Sequence, residues 1–256
     1  MRFVGLLVAA LGLVGDASAA EFTTTAADGV VIHGNDWGKG TKGVLLVHEK
    51  GKSGLDWSYF AERLAQKGWH VAAVDLRGHG ASKPPEVLTD ADYPKMSQDV
   101  AAGLAWLRAK GSKEIVVIGA GFGANVSLPA AADAPDVKTV VLMSPGLNLS
   151  GVALSTAADK YGTRPMLVAV GLDDSYGLRT ATWLEERGGG ARVVELIGAG
   201  GQGVKLLNKD PDLEGTLVAW ISGNYAQVDA SQRAQPTDQT GAEKATFETT
   251  GKKLGE

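Results

Sequence analysis

The chain has no cysteine among its 256 residues. That excludes disulfides, a thiolate nucleophile, zinc held by cysteine and lipidation of an N-terminal cysteine. Histidine is scarce. The four are His33, His48, His70 and His79, and none follows residue 79. They are scattered with no ligand spacing, so no metal site is expected and no cofactor is implied. Neither sign of charge dominates: the formal net charge is −4, which leaves no electrostatic footprint for nucleic acid. Long apolar runs are missing too. The one candidate, Phe3–Val14, is too short to span a bilayer comfortably, so no membrane-spanning segment is expected.

Residues 1–20 read MRFVGLLVAALGLVGDASAA. One arginine precedes an apolar stretch, and Ala17-Ser18-Ala19 offers small residues for a cut. This is the pattern of a secretory signal peptide, and it predicts an exported protein, periplasmic or secreted. With 44% hydrophobic residues, the remainder can bury a core without cross-links.

Residues 21–37 predict a hairpin turning at Asp28-Gly29 and supplying antiparallel edge strands. Gly43–His48, Trp69–Asp75, Ile115–Ile118, Thr139–Met143, Met166–Val170 and Val193–Ile197 are short apolar runs of the kind buried on both sheet faces. Between them, Trp57, Phe60, Ala61, Leu64 and Ala65 form one helical stripe. Further helices are predicted within 92–109, 122–132, 175–187 and 212–222. Alternating strand and helix predicts an α/β fold: a mostly parallel sheet, helices on both faces, right-handed crossovers and one domain over 21–223. Residues 224–256 are polar, of mixed charge and aperiodic, which predicts a disordered tail.

The stretch Ile115–Leu128, IVVIGAGFGANVSL, carries the functional question. A buried strand runs into a glycine-rich turn and then a helix. In a G-x-S-x-G nucleophile elbow the central serine sits in a strained backbone at the tip. Here the series is Gly119-Ala120-Gly121-Phe122-Gly123, with glycine in the serine's slot. Gly119-x-Gly121-x-x-Ala124 also fits a dinucleotide fingerprint, but that needs an acidic residue at the end of the next strand. Thr139–Pro145 has none. For Gly119 and Gly123, packing at a tight turn is reading enough.

Taken together, LLVHEKGKSGLDW, VDLRGHGAS, IGAGFGANVSL, LMSPGL, MLVAVGLDD and IGAGGQGVKLL resemble, in order, the α/β-hydrolase superfamily over about residues 25–222. The likeness is greatest to the dienelactone-hydrolase and serine-aminopeptidase-like esterases. The resemblance implies an α/β-hydrolase fold with a minimal lid between Pro145 and Pro165. It puts the nucleophile slot at Gly121 and the acid at Asp174, with Asp173 as the alternative. Gln202 falls in the histidine slot, in a loop one residue longer than usual. Backbone N–H groups of Glu49 and Phe122 would form the oxyanion hole, shaped by His48. Two of three triad members are therefore missing.

The expectation is a serine-esterase relative that has lost catalysis and binds a small molecule or peptide at the vestigial site. Two alternatives stay open. One is an ester hydrolase with relocated groups, for which Ser53, Ser127 and Ser175 are the candidate serines. The other is phosphate or nucleotide capture at the helix N-terminus after Gly123. Lys50 and Lys52 read as solvated loop lysines. The oligomeric state is not legible.

Overall fold

The computed structural model describes residues 19–83, 85, 87–198 and 200–225. The expected leader up to residue 18 and the expected tail beyond residue 225 lie outside the described residues.

Among the described residues ten strands form: β1 (Ala20–Thr25), β2 (Val31–Trp37), β3 (Lys42–Val47), β4 (His70–Val74), β5 (Glu114–Ala120), β6 (Val137–Met143), β7 (Asn148–Leu149), β8 (Val152–Ala153), β9 (Met166–Gly171) and β10 (Arg192–Ile197). The helices are α1 (Ser58–Gln66), α2 (Ser97–Ala109), α3 (Phe122–Ala132), α4 (Ser155–Tyr161), α5 (Ser175–Gly188), α6 (Lys205–Lys209) and α7 (Pro211–Ile221). Eight strands make one sheet in the order β1-β2-β4-β3-β5-β6-β9-β10. From β4 onward every pairing is parallel, whereas β1–β2 and β2–β4 are antiparallel. Only β1 is therefore an edge strand of the N-terminal hairpin. β2 lies inside the sheet, because Gly34–Trp37 pair with Val71–Val74 of β4.

The pleat divides each central strand between two cores. Leu45, Val47 and Val117 pack with Val100 and Leu104 of α2, Val126 of α3, Ala158 of α4 and Leu184 of α5. Their neighbours Val44, Leu46, Val116 and Ile118 pack with Trp57 and with Phe60 and Leu64 of α1, and with Leu213 and Leu217 of α7. Burial on both faces is why these strands are continuously apolar. Each such side chain contributes about 1.5–3 kcal/mol when fully removed from water.

A buried ionic cluster ties the hairpin to the body. The Arg77 guanidinium, after β4, bonds Asp99 of α2 and Asp28 of the hairpin turn, both at 2.5 Å. Burial opposes its charge, but those two carboxylates outweigh the penalty and hold its pKa above the ordinary arginine value. Among the described residues no helix is long and apolar enough to cross a membrane.

Candidate active site

The C-terminal ends of β3, β5, β6 and β9 open onto one cleft of about 250 Å³. This is where the crossovers of a parallel sheet leave room for a ligand. Gly121 lies at its floor, between β5 and α3, with φ +51° and ψ −120°. Glycine alone reaches that conformation at low steric cost. The turn is tight for a second reason: a Cβ at Gly123 would run into the carbonyl oxygens of Val47 and His48. Helix α3 thus starts in contact with the end of β3; the Ala124 N–H bonds the Gly121 carbonyl, and the Phe122 and Gly123 amides have no partner within the helix. Phe122 lines the cleft beside Gly121.

Glu49 reaches over the elbow. A Cβ added at Gly121 would lie 3.2 Å from Glu49 Cγ and 3.4 Å from Oε1. The same carboxylate packs against Gly203, where a Cβ would fall on it. Burial pushes the Glu49 carboxyl above the usual carboxylate range, and Lys52 and Lys205 offset only part of that. The Glu49 side chain therefore fills space between the elbow and the loop after β10.

His48 lies beneath the cleft and is 0% exposed. Its Nδ1 is 2.7 Å from the Glu49 carbonyl oxygen, and the Leu76 N–H donates to Nε2 at 2.9 Å. A carbonyl can only accept, so Nδ1 carries the proton and the ring is neutral. Burial lowers its pKa to about 4. Both ring nitrogens are committed to backbone, so His48 fixes the Glu49 peptide and has no lone pair for proton transfer.

Asp174 caps α5: its Oδ1 accepts from the Gly177 N–H at 2.9 Å. It is 6% exposed and also lines the cleft. Asp173 does a different job, accepting from the Gly201 N–H at 2.8 Å. Gln202 lines the cleft but is largely exposed. The loop bearing it is held by two oxygen acceptors, Asp173 on Gly201 and Ser144 Oγ on Gly203 at 3.0 Å, and packs against the Glu49 carboxylate.

None of the three serines suggested by position reaches the cleft. Ser127 is 0% exposed under Gly119, Ser53 lines a separate hollow beside Asp75, and Ser175 starts α5 facing solvent. The cleft serines are Ser144 and Ser150, both at positive φ, 50° and 49°. Positive φ in a non-glycine residue comes from tertiary closure, and Leu-Met-Ser-Pro gives no local sign of it. Lys50 also lines the cleft: its Nζ lies 3.2 Å from Ser150 Oγ and 4.0 Å over the Tyr93 ring. Lys52 is a surface residue paired with Asp56. The far wall is pinned by buried Asn125, which bonds both backbone groups of Gly146, and by Tyr176, whose hydroxyl bonds Asn148.

Among the described residues no histidine lines the cleft, and no group of three or more potential metal ligands forms. His33 lines the hollow beside Asp75, His70 bonds Asp36 and Ser112, and His79 bonds the Arg77 carbonyl.

Comparison with known proteins agrees with this architecture. Residues 43–176 match the family described as alpha/beta hydrolase fold. Over 99 residues the chain is 35% identical to a non-heme haloperoxidase of Rhodococcus erythropolis, covering 39% of this chain and 34% of that one. The match spans less than half the length of the curated relatives. Among solved structures, an esterase of Pyrococcus furiosus superposes with a TM-score of 0.69 at 21% identity, covering 81% of this chain and 93% of that one. An alpha/beta hydrolase from Novosphingobium aromaticivorans gives 0.65 at 19% identity, covering 81% and 99%. At such identities the superpositions speak for the fold.

Proposed function

Since the chain belongs to the alpha/beta hydrolase fold family, we propose that it is an exported member related to the dienelactone-hydrolase and aminopeptidase-like esterases that has given up acyl transfer and binds a ligand in the vestigial site. One observation carries the reading. Gly121 keeps the backbone of a nucleophile elbow without a side chain, and the Glu49 carboxylate lies against its tip. Acyl transfer needs an attacking oxygen and a base to activate it. The tip supplies no oxygen. The nearest histidine, His48, is neutral, buried and bonded through both nitrogens.

The signal-like N-terminus supports export. The cleft's size suits a small molecule or the end of a peptide. Asp173, Ser144 and Glu49 now hold the loop that carries the base in active relatives.

A second reading, hydrolysis by relocated groups, draws on Ser144, a strained serine in the cleft. Its hydroxyl oxygen accepts from Gly203, and no imidazole faces it among the described residues. The test is labelling with a fluorophosphonate probe, followed by intact mass. The expected result is no adduct. An adduct mapped to Ser144 or another serine would replace this proposal with the second reading.

A further inference from the structure

The cleft holds two carboxylates and one cation, and they do not pair. Among the described residues neither Glu49 nor Asp174 has a basic group within ion-pair distance. Asp174 is more than nine-tenths buried and spends one oxygen on the Gly177 N–H. Its other oxygen, Oδ2, has no donor among the described residues. Glu49 is half-buried, its side chain lying against Gly121 and Gly203. Lys50 is engaged elsewhere, on Ser150 Oγ and the face of Tyr93.

Two acceptor-only groups lining one cleft offer lone pairs that suit a positively charged, donor-rich group. An anion drawn to the start of α3 would meet both carboxylates. In an active relative, an imidazole would stand between the acid and the elbow tip. Here that slot has Gln202, which turns largely to solvent. The walls contributed by Phe122, Pro145 and Leu149 are apolar.

We propose that the cleft takes a small organic ammonium ion: a primary amine on a short apolar body, its N–H donors shared between Asp174 and Glu49. The inference rests on the ligand-binding reading above and names the chemistry of its ligand. A –NH₃⁺ group offers three donors and no acceptor, which complements carboxylate oxygens with spare lone pairs. The aliphatic body would lie against Phe122 and Leu149.

The test titrates n-butylamine, n-butanol and butyrate separately into the ¹⁵N-labelled full chain at neutral pH, read by amide chemical shifts. Butylammonium is expected to saturate and to move the Gly177 amide, which bonds Asp174, and the Gly203 amide, which lies beside Glu49. The alcohol and the carboxylate are expected to bind about tenfold more weakly or not at all. Asp174→Asn keeps a helix cap, since asparagine caps as well as aspartate, and should weaken butylammonium about tenfold. Glu49→Gln should do the same, and Asp136→Asn, on the distant surface, should not.

Butyrate binding in preference to butylamine would overturn the proposal and leave a ligand site of the opposite sign. Failure of all three probes, or full affinity in both carboxylate variants, would also overturn it. A fluorophosphonate adduct or ester turnover would instead remove the non-catalytic reading beneath it, whatever butylamine does.

Discussion

Putting the missing oxygen back, as Gly121→Ser, is the perturbation for which the structure supplies magnitudes. At φ +51° and ψ −120° any residue with a Cβ is strained, at a cost of about 1–3 kcal/mol. The new Cβ would also lie 3.2 Å from Glu49 Cγ, closer than ordinary packing, so Glu49 must yield by a few tenths of an ångström. Glu49 is wedged against Gly203, so displacing it adds to that cost. The single variant should therefore lose at least about 1–3 kcal/mol. Gly121→Ser on a Glu49→Ala background should lose the strain part only, so the two changes couple. Urea unfolding of the wild type, both single variants and the double variant measures that coupling. Neither serine variant should hydrolyse esters, because no imidazole faces position 121. Adding Gln202→His to Gly121→Ser supplies one, and that double variant is expected to give a folded protein with slow esterase activity at most. A Gly121→Ser variant as stable as wild type, with no coupling to Glu49, would refute the account of the elbow.

Two further outcomes concern proton linkage. Burial depresses the folded pKa of His48 to about 4, below the ordinary 6.5, so between those values the unfolded chain binds more protons. Stability from this residue is whole above pH 6.5 and declines as pH falls, by about 2 kcal/mol at pH 5. Between pH 7.5 and pH 5 the unfolding free energy of wild type, from urea titration, should fall by about 2 kcal/mol more than that of His48→Gln, and equal falls would contradict it. Glu49 has the opposite sign. Its folded pKa is raised by burial, so its ionisation costs stability as pH rises through that pKa. Glu49→Gln should accordingly be the more stable protein at neutral pH, with the advantage vanishing in acid. A variant less stable than wild type at pH 7 would show that the attraction of Lys52 and Lys205 for the ionised carboxylate matters more than its desolvation.

The sheet was legible because burial on both faces forces a recognisable composition. Gly43–Val47 and Ile115–Ile118 are apolar throughout, since alternate residues serve different cores. The elbow was legible because Gly123 has to be small where α3 meets β3, a demand that local spacing displays. Other features depend on contacts far apart in the chain. Glu49 reads as a backbone donor at the end of a strand, and nothing near it announces that its side chain crosses to Gly121 and Gly203. Ser144 takes positive φ where β6 leaves the sheet, and its partner, Gly203, is 59 residues away. The interior placement of β2 depends on its pairing with β4, which a hairpin pattern does not specify. Lys50 reads as a solvated loop residue until Tyr93 and Ser150 are brought beneath it by separate segments.

The most direct measurement is hydrolysis of a p-nitrophenyl ester by the purified wild-type chain, followed through every purification step beside a Ser144→Ala variant. The account predicts a rate no different from buffer for both proteins, and no acyl adduct by mass. Turnover that follows the wild-type polypeptide and disappears in the variant would contradict it, and would place a working nucleophile in the cleft.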